Sequence, residues 1–229
     1  MLISIQMSTK LVLLITLFLN FIFIVIGILI GNPIEQYFSK EASYITWVSF
    51  FQLLIIANLS LQIYKSVKNK QVKQLWKSPA LLWGIIALGF LYLAVDEVIR
   101  IHENLDNIIH RVFHLKKTAI TDRLDDAIIG FYGLVGVGVL YYFRSELKKY
   151  KKSFPLFLIG FVLLFLMVII DMSNNNIDVI KMLVSDHNLR HTVFSISKVL
   201  EDSLKLIAES FFIGAFYFCF KSSKSALNP

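Results

Sequence analysis

The sequence has few of the residues that cross-link or interrupt a chain: 229 residues include one cysteine, Cys219, four prolines and ten glycines. A single cysteine excludes an internal disulfide framework and every cysteine-rich metal module. So few prolines and glycines exclude collagen-like and low-complexity chains. Charged residues are scarce as well, at 17%, where a soluble domain carries about 25%. With 56% hydrophobic residues, the composition excludes an ordinary soluble domain and predicts a helical protein of the lipid bilayer.

Stretches without Asp, Glu, Lys or Arg locate the membrane helices, because one crossing needs about 20 mostly apolar residues. Five such stretches are long enough to cross alone or nearly so. A sixth, residues 210–220, is long enough only if it extends back through Glu209 and Lys205. We therefore predict an all-α fold, a polytopic membrane helical bundle in which residues 1–229 form a single transmembrane domain. Its six transmembrane helices are expected near residues 11–31, 44–64, 79–99, 125–143, 154–172 and 201–220.

The lysines predict the orientation, since positively charged loops stay on the cytoplasmic side of a membrane. Residues 65–77 hold five lysines and no acid, and residues 144–152 hold five bases and one acid, Glu146. Both loops are therefore predicted to be cytoplasmic, which places both termini in the cytoplasm. The other side holds 15 of the 16 acids and all five histidines. We expect a multi-pass protein of the cell membrane whose lysine loops attract anionic inner-leaflet lipids, and no motif indicates nucleic-acid binding.

A run of polar residues begins near the outer end of the third span and continues beyond it. Its members recur at spacings of four and three, which puts them on one face of a single helix that carries the span outward. Glu97 faces away from them by about a quarter turn. An i,i+4 ion pair between the first two members, at the membrane boundary, is the simpler interpretation. The members of this face are Asp96, Arg100, Glu103, Asn107, His110 and His114.

Acids and amides also mark the outer ends of the fourth and fifth spans. Asp125 and Asp126 lie at the start of the fourth span, where the helix dipole by itself would stabilise them. The fifth span ends near Asp171 and Asn175, and an asparagine there is equally well explained as a helix cap. These residues are candidates for a shared outer site.

The sixth span carries charge into the membrane. Glu201, Asp202, Lys205 and Glu209 fall within about 100° of one another on a helix, and Glu209 lies two turns deeper than Glu201. A Glu-Lys-Glu ladder through Lys205 explains the charges but not their depth. Ionisable groups at that depth are costly unless paired or hydrated, and they usually line a bundle interior or a water-filled cavity. Glu209 is therefore a candidate proton carrier.

We predict that these helix ends meet and turn their polar side chains toward one another around an outward-facing cavity. Grouped carboxylates concentrate cations and offer them oxygen ligands. The cytoplasmic halves of the helices, rich in Phe, Leu, Ile and Tyr, are expected to be closed. The predicted lining is Asp96, Glu97, Arg100, Glu103, Asp125, Asp126, Asp171, Asn175, Glu201, Asp202, Lys205 and Glu209.

The histidines suggest a metal site as a further alternative. Two pairs have the i,i+4 spacing that places both imidazoles on one helical face, as metal-binding helices do. Solvated loop histidines explain the same residues, and two neighbouring arginines would oppose a cation. If a divalent cation such as zinc or calcium is held here, the candidate ligands are His102, His110, His114, His187 and His191.

Two segments of the sequence resemble parts of other proteins. They are similar to segments of uncharacterised bacterial multi-pass membrane proteins, in which an Asp-Glu…His-Glu helix end accompanies an acidic pair that opens the last span. The resemblance covers a small part of the chain and implies the multi-pass architecture, without an activity. The segments are Asp96-Glu97…His102-Glu103 and Glu201-Asp202-x-x-Lys205-Leu206-x-Ala208.

Three functions stay open from the sequence. The first is a membrane protein whose outward-facing cavity binds cations, with conduction or coupling of those cations left open. The second is a metal-dependent membrane hydrolase or transferase that acts at the outer leaflet. The third is a membrane sensor or assembly subunit, which includes a homo-oligomer. Four glycines in the fourth span, at positions 130, 133, 136 and 138, predict close approach of a neighbouring helix.

Overall fold

The computed structural model describes residues 7–30, 38, 43–68, 78–115, 124–174 and 186–225. Every secondary-structure element in these ranges is a helix. Joined to the apolar composition, this confirms an all-α membrane bundle. The helices are α1 (Thr9–Ile30), α2 (Tyr44–Lys68), α3 (Pro79–Ile99), α4 (Ile101–Val112), α5 (Leu124–Tyr142), α6 (Arg144–Leu147), a 3-10 helix (Lys148–Ser153), α7 (Phe154–Asn174) and α8 (His187–Ser225).

Five helices in the described residues are long and apolar enough to cross a membrane: α1, α2, α3, α7 and α8. The apolar part of α5, Ala127–Tyr142, is shorter. Helix α8 starts well before residue 201, where the sixth span was expected, and its 39 residues make it about 58 Å long at 1.5 Å per residue. That length exceeds the hydrocarbon thickness of about 30 Å, so part of α8 projects beyond it.

Helix α8 lies at the centre of the bundle, where it packs against α7, α2 and α1, while α2 packs along α3. Two contacts near its end bring together segments that are far apart in sequence. The Tyr217 hydroxyl donates to the Met7 carbonyl over 3.0 Å, and the Cys219 thiol to the Ser153 hydroxyl over 3.4 Å. Val67, at the end of α2, is buried in one cluster with Tyr150 and Cys219. The described lysine-rich segments therefore share one end of the bundle, here called the lysine-rich end. The acids of α3, α7 and α8 lie toward the other, here called the acidic end.

Aromatic rings fill the half of the bundle nearest the lysine-rich end. Phe216 of α8 makes edge contacts with Trp83, Phe90 and Phe157, at ring-centroid distances of 6.2, 5.4 and 5.1 Å. Trp83 and Phe216 are buried. Aromatic side chains therefore pack the core of this half of the described bundle.

A glycine permits the close contact between α7 and α8. A Cβ atom at Gly160 would lie 2.9 Å from the ring of Phe212. We expect Gly160→Val to lower the free energy of unfolding by about 1–3 kcal/mol through overpacking, as measured by reversible unfolding in mixed micelles. Gly133→Val is the matched control, because no described residue lies within 4 Å of a Cβ atom there. Equal effects of the two substitutions would contradict this account of the contact.

Helix α5 packs loosely on the central helices, and Val139 and Leu140 near its end contact the core. Tyr132 of α5 contacts Tyr92 of α3, with 2.6 Å between their hydroxyl oxygens and 5.3 Å between ring centroids. No described residue lies within 4 Å of a Cβ atom built at any of its four glycines. The described part of this chain therefore does not supply the close neighbour that the glycine pattern predicts.

The third span does not continue outward as one helix, so the predicted polar face is wrong. Helix α3 ends at Ile99, and Arg100 takes left-handed backbone angles of φ 54° and ψ 55° before α4 begins. Asp96 stabilises the break, because its carboxylate accepts a 3.0 Å hydrogen bond from the backbone N–H of His102. Amides in the first turn of a helix lack partners within the helix. The Asp96 side chain of α3 thus caps the start of α4. Residue spacing before Arg100 therefore does not determine which residues share a face in α4.

Candidate functional site

Helices α3, α7 and α8 bring acids and lysines together toward the acidic end. Lys205 of α8 lies 2.7 Å from Glu97 of α3 and 3.2 Å from Asp202. Two turns further out, Lys198 lies 3.1 Å from Asp171 of α7 and 2.9 Å from Glu201. All these side chains are mostly buried. We call this group the ion-pair cluster: Glu97, Asp171, Lys198, Glu201, Asp202 and Lys205.

The pairing inside this cluster differs from the Glu-Lys-Glu ladder expected along α8. Lys205 pairs with Asp202, three residues away, and with Glu97 of α3. Glu201 pairs with Lys198 instead, and Glu209 accepts a bond from Ser49 of α2. Tertiary partners thus replace the local one, and Glu97, which was expected to face away from the polar face, forms an ion pair between α3 and α8.

The remaining acids near the end of α3 are held locally. The carboxylate of Asp96 is buried, and its second oxygen lies 2.8 Å from Nδ1 of His102. Arg100 lies 3.1 Å from Glu103. These residues form a junction between α3 and α4 that is separate from the pairs that Lys205 makes.

One of the two expected histidine pairs, His110 and His114, does not share a helical face. Nδ1 of His110 lies 2.8 Å from a carboxylate oxygen of Asp106, and both side chains are buried. His114 follows the end of α4 with a left-handed φ of 51°, so it leaves the helical face on which His110 lies. His191 is exposed near the start of α8. In the described residues, no three His, Cys, Asp or Glu side chains are grouped closely enough to hold a metal ion.

Some predicted residues fall where the structure gives no side-chain description. Asp125 and Asp126 lie in the first turn of α5 and His187 is the first residue of α8, but the side chains of all three are outside the described part. Asn175 lies outside the described residues altogether. Their predicted roles stay predictions.

A second group of polar residues lies deeper in the bundle, between α1, α2 and α8. The side-chain amide of Asn20 donates to the backbone carbonyl of Leu206 over 2.7 Å and to the Ser210 hydroxyl over 2.8 Å. The side-chain amide of Gln52 donates a 2.7 Å hydrogen bond to the side-chain oxygen of Asn20. The group is buried. We call it the deep polar cluster: Asn20, Ser49, Gln52, Glu209 and Ser210.

Sequence reasoning identified Glu209 but missed its neighbours. Membrane helices are predicted from stretches without charged residues. The neutral polar residues Asn20, Ser49 and Gln52 lie inside such stretches and do not interrupt them. A signal was nevertheless present, because an asparagine in an otherwise aliphatic span costs free energy unless it finds a partner in the bundle. Counting amides as well as charges would have singled out Asn20 and Gln52.

The carboxylate of Glu209 has one hydrogen-bonded oxygen and one without a hydrogen bond from any described residue. Ser49 donates to Oε1 over 2.6 Å. The other oxygen, Oε2, is inaccessible to solvent and has no hydrogen-bond partner among the described residues. The side chain is 4% exposed. Lys205 is one helical turn further out, and on the inner side the aromatic packing of Phe212 and Phe216 begins.

A bundle of long apolar helices with a polar interior defines a multi-pass helical membrane protein. The chain belongs to the family described as Domain of unknown function (DUF8692), which matches residues 7–220. The match covers nearly the whole bundle, including both polar clusters. No curated protein and no solved structure matches the chain.

Proposed function

We propose that this protein binds a small cation, and in the first place a proton, at Glu209, and that the cation arrives from the acidic end. The observation that carries the proposal is the buried Oε2 atom without a hydrogen-bond partner among the described residues. A buried ionised carboxylate is costly unless it is paired and hydrogen-bonded. A proton or another small cation on Oε2 lowers that cost, because it neutralises the charge.

The surroundings of Glu209 favour a proton over a metal ion. The carboxylate and the Ser49 hydroxyl supply three oxygen atoms, whereas calcium takes about six to eight oxygen ligands and structural zinc about four ligands. A proton needs one acceptor. Zinc and calcium, which the acids and histidines suggested, therefore rank behind the proton at this position.

Access from the acidic end is supported by the order of charged groups along α8. Lys198, Asp202, Lys205 and Glu209 follow at intervals of three or four residues, so each lies one turn deeper than the last. Chains of ionisable groups of this kind mark proton and ion pathways in membrane proteins. Beyond Ser210 the aromatic packing closes the way, so conduction would require that layer to open.

Binding at Glu209 would be coupled to the packing of α2 against α8. The Ser49 hydroxyl joins these helices through Glu209, and a change in the charge of this carboxyl alters how strongly that bond is held. Binding or release of a cation at Glu209 would therefore change how strongly α2 is held against α8.

The topology that accompanies this proposal has six crossings with both termini in the cytoplasm, within the cell membrane. Helix α5 supports it, because its apolar part, Ala127–Tyr142, makes about 24 Å of helix, which is not far below the hydrocarbon thickness of about 30 Å. The lysine-rich end then faces the cytoplasm and meets the anionic lipids of the inner leaflet. The glycine face of α5 offers a surface on which a second copy of the chain would pack to form a homo-oligomer.

Infrared difference spectroscopy between acid and alkaline buffers tests the proton site in protein reconstituted into lipid nanodiscs. We expect a carbonyl band of a protonated carboxyl that shifts in D2O and disappears in Glu209→Gln. Ser49→Ala should keep the band but move its frequency, because it removes the hydrogen bond at Oε1 and leaves the carboxyl in place.

Glu103→Gln is the matched control, since this more exposed glutamate pairs with Arg100 outside both clusters. The band should persist in this variant. Absence of any band that depends on Glu209 would overturn the proton assignment. Thermal stabilisation by sodium or calcium that is lost in Glu209→Gln would retain cation binding at this residue and replace the proton with that ion.

A further inference from the structure

Helix α4 has an apolar face that no other part of the described chain covers. Leu105, Ile108 and Val112 are 38%, 53% and 63% exposed, and their spacing of three and four places them on one side of the helix. Asp106 and His110 are buried on another side, about 100° or more around the helix axis. The usual arrangement is therefore inverted: polar side chains face the protein and aliphatic ones face outward.

The position of α4 identifies what covers this face. Helix α3 has 21 residues, which at about 1.5 Å each gives about 31 Å, close to the hydrocarbon core of about 30 Å. The chain therefore reaches the edge of the hydrocarbon when it arrives at Arg100. The left-handed backbone there ends the crossing and turns the chain into a separate helix.

Exposed apolar residues continue on both sides of this face. Ile99 at the end of α3 is 59% exposed, and Phe113 after α4 is 68% exposed. Leu88 and Leu91 carry the exposed surface down α3, where a membrane helix faces acyl chains. The aliphatic face of α4 is thus continuous along the chain with a surface that is already in lipid.

We propose that α4 is an interfacial helix that inserts Leu105, Ile108 and Val112 into the leaflet at the acidic end. A short amphipathic helix with low mean hydropathy lies in the plane of the membrane interface in this way. The insertion would also hold His102, in the first turn of α4, against Asp96 of α3. This inference does not depend on cation binding at Glu209.

Site-directed spin labelling tests the insertion, and the sequence suits it because Cys219 is its single cysteine. In a Cys219→Ser background, Ile108→Cys and Asn107→Cys are neighbouring exposed positions on different sides of α4. The labelled proteins are reconstituted into vesicles of phosphatidylethanolamine and phosphatidylglycerol. Collisions with oxygen, which concentrates in lipid, and with a water-soluble nickel chelate are then measured.

We expect the label at position 108 to be accessible to oxygen and shielded from nickel, and the label at 107 to show the opposite. Equal nickel access at the two positions would overturn the proposal. Shielding of position 108 from both reagents would overturn it too, because a protein surface would then cover the face. Leu105→Cys with Asn104→Cys repeats the comparison if a 108 variant does not melt like its unlabelled parent.

Discussion

Lys205→Met is expected to lower the free energy of unfolding by about 3 kcal/mol, because it leaves two acids in the bundle without their cation. Glu97 lies 2.7 Å and Asp202 3.2 Å from the lysine, and all three side chains are less than one-fifth exposed. The methionine side chain is similar in length and volume to the lysine side chain, so the packing changes little. Reversible unfolding in mixed micelles measures the effect.

Two further variants separate loss of the ion pair from a general effect of the substitution. Lys224→Met makes the same change at the exposed end of α8, where the lysine contacts only the ring of Phe220 among its described interactions, and it should cost less than about 1 kcal/mol. Adding Glu97→Gln to Lys205→Met should recover part of the loss, because one unpaired charge is removed. A double variant as unstable as the sum of its single variants would contradict the pairing.

The ion-pair cluster shows where prediction from sequence succeeded and where it stopped. Composition and charge-free stretches predicted the bundle. The acids of α8 were identified by their periodicity. Their partners were not, because Glu97 and Lys205 are 108 residues apart in sequence and no local pattern encodes that contact.

The junction at Arg100 illustrates a different limit. Helical periodicity extrapolates a face along the chain, and one residue with left-handed backbone angles resets it. Arginine gives no sign of this conformation, in contrast to glycine or asparagine. The cause is tertiary and polar: the Asp96 carboxylate accepts the His102 amide and so stabilises a new helix start. Residue spacing therefore predicts a shared face within α3 or within α4, but not across the junction between them.

The two polar clusters on α8 differ in how their polar groups are satisfied. In the ion-pair cluster, two lysines each bridge two carboxylates near the acidic end, so that each of the four acids has a cation within 3.2 Å. In the deep polar cluster, neutral amides and hydroxyls satisfy one another, and Glu209 alone carries a carboxyl. Glu209 is hydrogen-bonded to a serine and not to a cation. Its protonation can therefore change without breaking an ion pair, whereas protonation of Glu201 or Asp202 would break one. For this reason the proposed site is Glu209.

Asn20→Leu is expected to lower the free energy of unfolding by about 2–3 kcal/mol, because this side chain joins three helices. It donates to Leu206 and Ser210 of α8 and exchanges hydrogen bonds with Gln52 of α2. Each bond between membrane helices contributes about 0.6 kcal/mol, with values up to about 1.7, and the variant also leaves the buried Gln52 amide unsatisfied.

Thr16→Val is the matched control for that prediction, since Thr16 lies one turn away on α1 and bonds only to the carbonyl of Leu13 among its described contacts. It should change stability by less than about 1 kcal/mol. Replacing Gln52 by Leu in the Asn20→Leu background should restore part of the loss, because no unpaired amide then remains. The Glu209 carbonyl band in the infrared spectrum should survive both Asn20 variants, since Ser49 and not Asn20 bonds its carboxyl. Loss of the band together with stability would show instead that the amides of the deep polar cluster, and not Ser49, hold Glu209 in place.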